Sequence, residues 1–331
     1  MVNVLPEFVT RYPNLAEARL GAKVVSATDD FFAPKERLIS RTDPVFIPDK
    51  YDDHGKWMDG WESRRKRTPG HDHCVVKLAK PGRLHGVEID TRHFTGNYPP
   101  AASLEACYSL DGCPAVDVAW IEVLPQEELQ GDRQHFFDIG NNQVWTHIRL
   151  HIYPDGGVAR LRVYGEIEVD WTSKQGALID LAALEWGGMP LGCNDAHFGV
   201  PMNIITPGVA ENMGDGWETR RRRTPGHDWA VFALAHPGVL EQVRIETTHF
   251  KGNYPDRFSL QAINAGAGTD ENLLIQAVDW PLLLPEQKLS ADGIHEFSDK
   301  LENLGPVSHV RLNIYPDGGI ARMRLMGRVT D

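Results

Sequence analysis

The sequence predicts an all-β chain built as two tandem domains, each a β-sandwich or jelly roll. Three observations carry that expectation: a long internal repeat, short segments of alternating apolar and polar residues, and Gly/Pro turn signals between them. Residues 59–72 read DGWESRRKRTPGHD and residues 215–228 read DGWETRRRRTPGHD, identical at twelve of fourteen positions at an offset of 156. HFTGNYP (93–99) matches HFKGNYP (249–255) at the same offset, and IYPDGGVARLR (152–162) matches IYPDGGIARMR (314–324) at an offset of 162. Solenoid repeats run only ~20–50 residues, so this unit is a whole domain. A chain of 331 residues, at roughly 150 per domain, agrees. The expected domains are 1–170 and 171–331.

Upstream, Asn14-Leu15-Ala16 aligns with Asp180-Leu181-Ala182, and Asp29 to Phe32 with Asp195 to Phe198, at an offset of 166. The first copy therefore carries ten extra residues, expected as a longer loop near Asp43 to Gly55. Asn14 to Leu20 reads as a short helix capped by Asn14, with Asp180 to Trp186 its counterpart. The cations 64–67 are read as extended, with Arg65 and Arg67 on one face and Arg64 and Lys66 on the other. Val87 to Arg92 and Val243 to Glu246 alternate as half-buried strands do. His147 to Ile152 alternates up to Pro154-Asp155-Gly156-Gly157, expected as a tight hairpin with glycine at positive φ. Ala159 to Val163 alternates beyond it. The six extra residues of the second copy between its H-F-x-G-N-Y-P and I-Y-P-D-G-G motifs are expected as loop insertions.

Composition narrows the class. Hydrophobic residues at 41% and charged residues at 24% are those of a globular chain. No apolar run reaches the ~18 residues of a membrane span. The segment MVNVLPEFVTRYPNL lacks the basic flank and apolar core of a leader, so a cytoplasmic location is expected. A net charge of −12 repels phosphate backbones, which argues against nucleic acid as a partner. The four cysteines, at 74, 107, 113 and 193, form no C-x-x-C pair and read as reduced thiols. No G-x-S-x-G, phosphate-cradling glycine loop or H-E-x-x-H is present.

The candidate chemistry lies in the repeated motifs. Arg64, Arg65 and Arg67, with Arg220, Arg221 and Arg223, supply guanidinium forks that bind carboxylates in a bidentate manner. Lys66 faces Arg222 across the repeat, so that position is the less demanding one. An isolated basic run is more often a solvated loop paired with acids. His71-Asp72 and His227-Asp228 offer an acid or base beside a carboxylate, although neighbours on a strand point apart. His93 and His249 are placed by parity on the inner face at a strand end, either as hydrogen-bonded core groups or at the mouth of the sandwich with Asn97 and Asn253. Arg160 and Arg322 follow the Gly-Gly turn and could orient a ligand. His73 makes H-D-H in the first copy, but Trp229 stands there in the second and no third ligand is identifiable. No cofactor is identifiable, and a divalent metal is unsupported by any ligand spacing.

The order of these features resembles the galactose-binding-like, discoidin-type jelly roll. The combination D-G-W-E-[ST]-R-R-[KR]-R-T-P-G-H-D, H-F-x-G-N-Y-P and I-Y-P-D-G-G-[VI]-A-R-[LM]-R resembles the allantoicase family in both copies, over nearly the whole chain. That resemblance implies a hydrolase of carbon–nitrogen bonds other than peptide bonds, in the linear amidine class, converting allantoate and water into ureidoglycolate and urea in purine degradation. It also implies two tandem jelly-roll β-sandwich domains and a homo-oligomer. Under it, His71, Asp72, His93, His227, Asp228 and His249 are the candidate catalytic groups. Arg64, Arg65, Arg67, Asn97, Arg160, Arg220, Arg221, Arg223, Asn253 and Arg322 are the candidate substrate ligands. The alternatives are a non-catalytic tandem module binding carbohydrate or another small ligand, and a scaffold whose motifs serve folding alone. The polar character of the repeated stretch argues against the last.

Overall fold

The computed structural model describes residues 5–266 and 269–330, and divides into two compact units, 1–168 and 169–331. Residues 1–4, part of the N-terminal segment searched above for a leader, lie outside the described residues.

The longer strands of the first unit are β1 (Lys23–Ala27), β2 (Asp72–Asp90), β3 (Ala101–Cys107), β4 (Ile121–Glu128), β5 (Gln134–Asp138), β6 (Val144–Tyr153) and β7 (Arg160–Ile167). Strand β2, nineteen residues long, serves both layers of the sandwich. Its first half pairs with β1 and β6, and the sheet continues through β3 to β4. Its second half pairs with β5 and β7. Alternation sends Cys74, Val76, Leu104, Leu150 and Ile152 inward from one layer and Val87, Ile89, Leu161 and Val163 from the other. Burial of these apolar side chains is the main favourable term of folding.

The second unit repeats the plan with β8 (Met189–Cys193), β9 (Asp228–Glu246), β10 (Arg257–Ile263), β11 (Leu282–Lys288), β12 (Ile294–Phe297), β13 (Val307–Tyr315) and β14 (Arg322–Val329). Strand β9 again spans both layers, pairing with β8 and β13, then with β12 and β14. In the stretch where the second copy has six extra residues, a helix, Asp270–Gln276, lies between β10 and β11, capped by Thr269. Leu273 from that helix packs with Ala277 and Trp280 on Val231, a residue of the outer face of β9.

Four expectations need correction. Asn14 caps no helix: its Oδ1 accepts the N–H groups of Ala16 and Val163, and only a 3-10 turn forms, at Ala18–Leu20. Asp180 does the same toward Ala182 and Leu325. The cationic stretch belongs to no strand, because pairing stops at Glu62 and resumes at Asp72. The Tyr153–Gly157 turn is not a hairpin, since β6 and β7 pair with β2 rather than with each other. Gly156 has a φ of 140°, and a Cβ there would lie 2.7 Å from Pro99 N. Finally, β2 ends before His93, whose φ of 71° puts it in a turn instead of on the inner face.

Candidate active site

The repeated motifs hydrogen-bond into one loop scaffold at an end of each sandwich. Asp59 and Asp215, the first residues of D-G-W, pair with Arg160 and Arg322 at 2.8 and 2.7 Å. Both guanidinium groups are at most 1% exposed, and their other N–H groups donate to backbone carbonyls, Thr42 and Asp59 in one unit and Val209 and Asp215 in the other. Charge and donors are thus spent inside the loop, and the expectation that these arginines orient a ligand is set aside. Trp61 and Trp217 are fully buried and donate from the indole to Asp29 O and Asp195 O. Gly157 and Gly319 leave no room for a Cβ against the Phe94 and Phe250 rings.

The other motif groups are also engaged. His93 Nε2 meets Pro44 O at 3.0 Å, and His249 Nε2 meets Ala210 O at 2.9 Å. Each histidine's backbone N–H donates to an aspartate, Asp132 or Asp292. Asn97 and Asn253 donate to Glu62 and Glu218 at 2.6 and 2.5 Å. Burial pushes the Glu62 carboxyl above the usual carboxylate range, with the Asn97 bond acting against it. Asp72 and Asp228 lie almost completely buried, each held by the cation of the motif's less demanding position, Lys66 or Arg222. Thr28 and Asn194 add a hydrogen bond to each at 2.8 Å. Most of the polar identity between the copies therefore serves the scaffold.

What the scaffold leaves free is specific. Arg64 and Arg220 are tied to Asp29 and Asp195 by ion pairs of 2.6 Å. Burial raises the Asp29 carboxyl, but hydrogen bonds from Arg64 outweigh it and hold the group below the usual range. The backbone N–H groups of Lys66 and Arg222 donate to Asp155 and Asp317. Alternate residues are thus pinned even without a strand. Arg65, Arg67, Arg221 and Arg223 point outward, exposed, with no ion pair or hydrogen bond among the described residues. In the second unit they border an open cleft of about 310 Å³ lined also by Asn194, Asp195, Thr224 and Asp228.

After the turn the two copies diverge. His71 Nε2 lies 2.8 Å from His151 Nδ1, and His151 Nε2 lies 2.8 Å from Glu105 Oε2. Arg149 also donates to Glu105. The His71 ring packs 4.5 Å from Tyr153, whose hydroxyl meets Ser103 at 2.8 Å. In the second unit His227 Nε2 meets the Asn313 amide oxygen at 3.1 Å, and Asn313 donates to Gln261 at 3.0 Å. Tyr315 and Ser259 repeat the platform. Burial lowers the His151 pKa, opposed by Glu105. Burial, with His151, Arg149 and His71 nearby, brings His73 down to about 4. Burial lowers His227 as well. Glu105 is held below its usual range: burial raises it, and the bonds from His151 and Arg149 outweigh that.

His151 and Glu105 escaped the sequence reading. Alternation along β6 puts Arg149 and His151 on one face, but their carboxylate partner sits on β3, 46 residues from His151. Among the described residues, no group of three or more His, Cys, Asp or Glu is disposed to hold a metal ion, and no helix is long and apolar enough to cross a membrane.

Comparison with known proteins adds the family. Residues 13–168 and 179–330 each match the model of the allantoicase repeat. The chain is 58% identical to "Probable allantoicase 1" of Burkholderia mallei, across 97% of this chain and 96% of that one. It is 55% identical to "Probable allantoicase" of Ralstonia nicotianae, across 97% and 96%. Among solved structures, it superposes on the crystal structure of allantoicase from Saccharomyces cerevisiae with a TM-score of 0.81 at 33% identity, covering 97% of this chain and 96% of that one.

Proposed function

The chain belongs to the allantoicase family, and from that premise we propose how its two repeats carry out the hydrolysis of allantoate to ureidoglycolate and urea in purine degradation. The substrate carries a carboxylate and two ureido groups on one carbon. The carboxylate is gripped by the exposed forks, Arg65 and Arg67 or Arg221 and Arg223, because a planar guanidinium presents two parallel donors to two oxygens. The observation that carries this reading is that these are the cations of the repeated motif left without a partner among the described residues, while the motif's other cations are paired. Arg64 and Arg220, the two motif aspartates, His93, His249, Asn97, Asn253, Arg160 and Arg322 hold the loop.

Hydrolysis forms a bond from water oxygen to the central carbon and breaks that carbon's bond to one ureido nitrogen. A base takes the water proton, and the departing nitrogen receives one, leaving as urea. An imidazole suits both transfers near neutral pH. His71 and His227 follow the last free arginine by four residues, Thr-Pro-Gly turning the chain between. In this reading each domain, 1–170 and 171–331, brings one set of arginines and one imidazole.

The test is urea release from allantoate by the purified chain. Release in the wild type, with a large loss of kcat/KM in Arg65→Ala/Arg67→Ala or Arg221→Ala/Arg223→Ala, supports the reading. Saturable sugar binding without urea release would instead favour a binding module. A cytoplasmic location is supported by four free cysteines, two of them buried. Homo-oligomerisation is supported by exposed Val45, Phe46 and Ile47 on the loop peculiar to the first repeat, and light scattering tests it.

A further inference from the structure

We propose that proton transfer belongs to the first repeat, where Glu105 and His151 act as positioning residues for His71, while the second repeat lacks this relay. The proposal rests on the reading of His71 as the acid–base group.

The hydrogen bonds decide the tautomers. The ionised Glu105 only accepts, so His151 donates from Nε2 and keeps a lone pair on Nδ1. His71 must then donate its Nε2–H to that lone pair, leaving its own Nδ1 unprotonated. No bond to that nitrogen is formed among the described residues, so it is the atom offered to water. When Nδ1 takes the proton from water, the positive charge spreads toward His151 through the shared hydrogen bond. The Glu105 carboxylate stays ionised and stabilises it. The same proton then passes from Nδ1 to the departing ureido nitrogen, restoring the resting state.

The second repeat keeps the geometry but not the charge. Asn313 orients His227 in the same tautomer, and Gln261 orients Asn313. An amide neither accepts a second proton nor carries negative charge, so an imidazolium at His227 gains no such support. Trp229 and Arg311 occupy the places of His73 and Arg149, and the Arg311 guanidinium lies 4.9 Å from the Trp229 ring, adding positive charge near His227.

The second repeat also supplies the experiment, because its residues are compatible with this fold. Glu105→Gln/His151→Asn grafts the amide pair into the first repeat, with Glu105→Gln alone as the milder variant. Urea release is followed against pH and allantoate concentration. His71 is faced by Asp72 and His73 at the start of β2, by Arg149, His151 and Tyr153 on β6, and by Glu105 on β3. Of these the graft removes the nearest negative charge linked to it by hydrogen bonds. The expected result is a fall in kcat of at least about tenfold with KM little changed, and an acid limb of kcat/KM displaced to lower pH. His71→Asn should cost at least about tenfold more in kcat than His227→Asn. A graft that folds, by circular dichroism, and keeps wild-type kcat and acid limb would overturn the proposal, as would equal losses in the two histidine variants. A wild-type chain that releases no urea would instead overturn the reading on which it rests.

Discussion

Replacing Asp215 by Asn tests the claim that Arg322 is a loop anchor. The side chains of the pair are 0% and 2% exposed and 2.7 Å apart. The substitution keeps the shape of the carboxylate but removes its charge, leaving a guanidinium buried with only neutral oxygens around it. Breaking a buried pair in this way costs about 3–5 kcal/mol. Against a domain stability of roughly 5–15 kcal/mol, that is a large fraction. With a urea dependence of about 2 kcal/mol per molar, the unfolding midpoint should fall by about 1.5–2.5 M. Tryptophan fluorescence reports it, since Trp217 is fully buried beside the loop. Arg220→Ala, which breaks a pair whose guanidinium is 69% exposed, is the control and should leave the midpoint almost unchanged. A midpoint shift below about 0.5 M for Asp215→Asn, with unchanged slope, would refute the reasoning and reopen Arg322 as a ligand-binding group.

Three further outcomes are expected. Arg65→Lys/Arg67→Lys, which keeps the charge but loses the fork, should raise KM for allantoate while leaving the thermal midpoint within a degree or two; steady-state kinetics and calorimetry check both. His73 is held near 4 in the folded chain against 6.5 unfolded, so the unfolded chain binds the extra proton as pH falls through that window. Stability present above pH 6.5 should therefore drain away toward pH 4, and His73→Trp, the second repeat's residue, should flatten that part of the melting-temperature profile. Gly157→Ala forces a Cβ into the Phe94 ring and should destabilise the first unit by roughly 1–3 kcal/mol, read as a lowered urea midpoint; an unshifted midpoint would mean that the loop repacks.

Much of this protein was legible in its residues alone. The duplication, the β class, the extra loop of the first copy and the family resemblance all followed from repeated motifs and period-two alternation, which are local properties of the chain. So did the separation of Arg65 and Arg67 from Arg64 and Lys66, although the reason differs: aspartates at 29, 72 and 155 pin the alternate residues, not a strand. What local pattern could not supply was the identity of partners far apart in sequence. Arg160 reads as a functional cation until Asp59, 101 residues away, is found closing a buried pair with it. His93 reads as an inner-face residue until a positive φ turns it out of the strand. His151 and Glu105 reached His71 only because β3 and β6 lie side by side in the sheet. Charge pairing, tautomer and burial depend on neighbours through space, so the sequence determined the scaffold and its repeated elements, and the tertiary structure alone decided which polar groups it consumes and which it leaves free for chemistry.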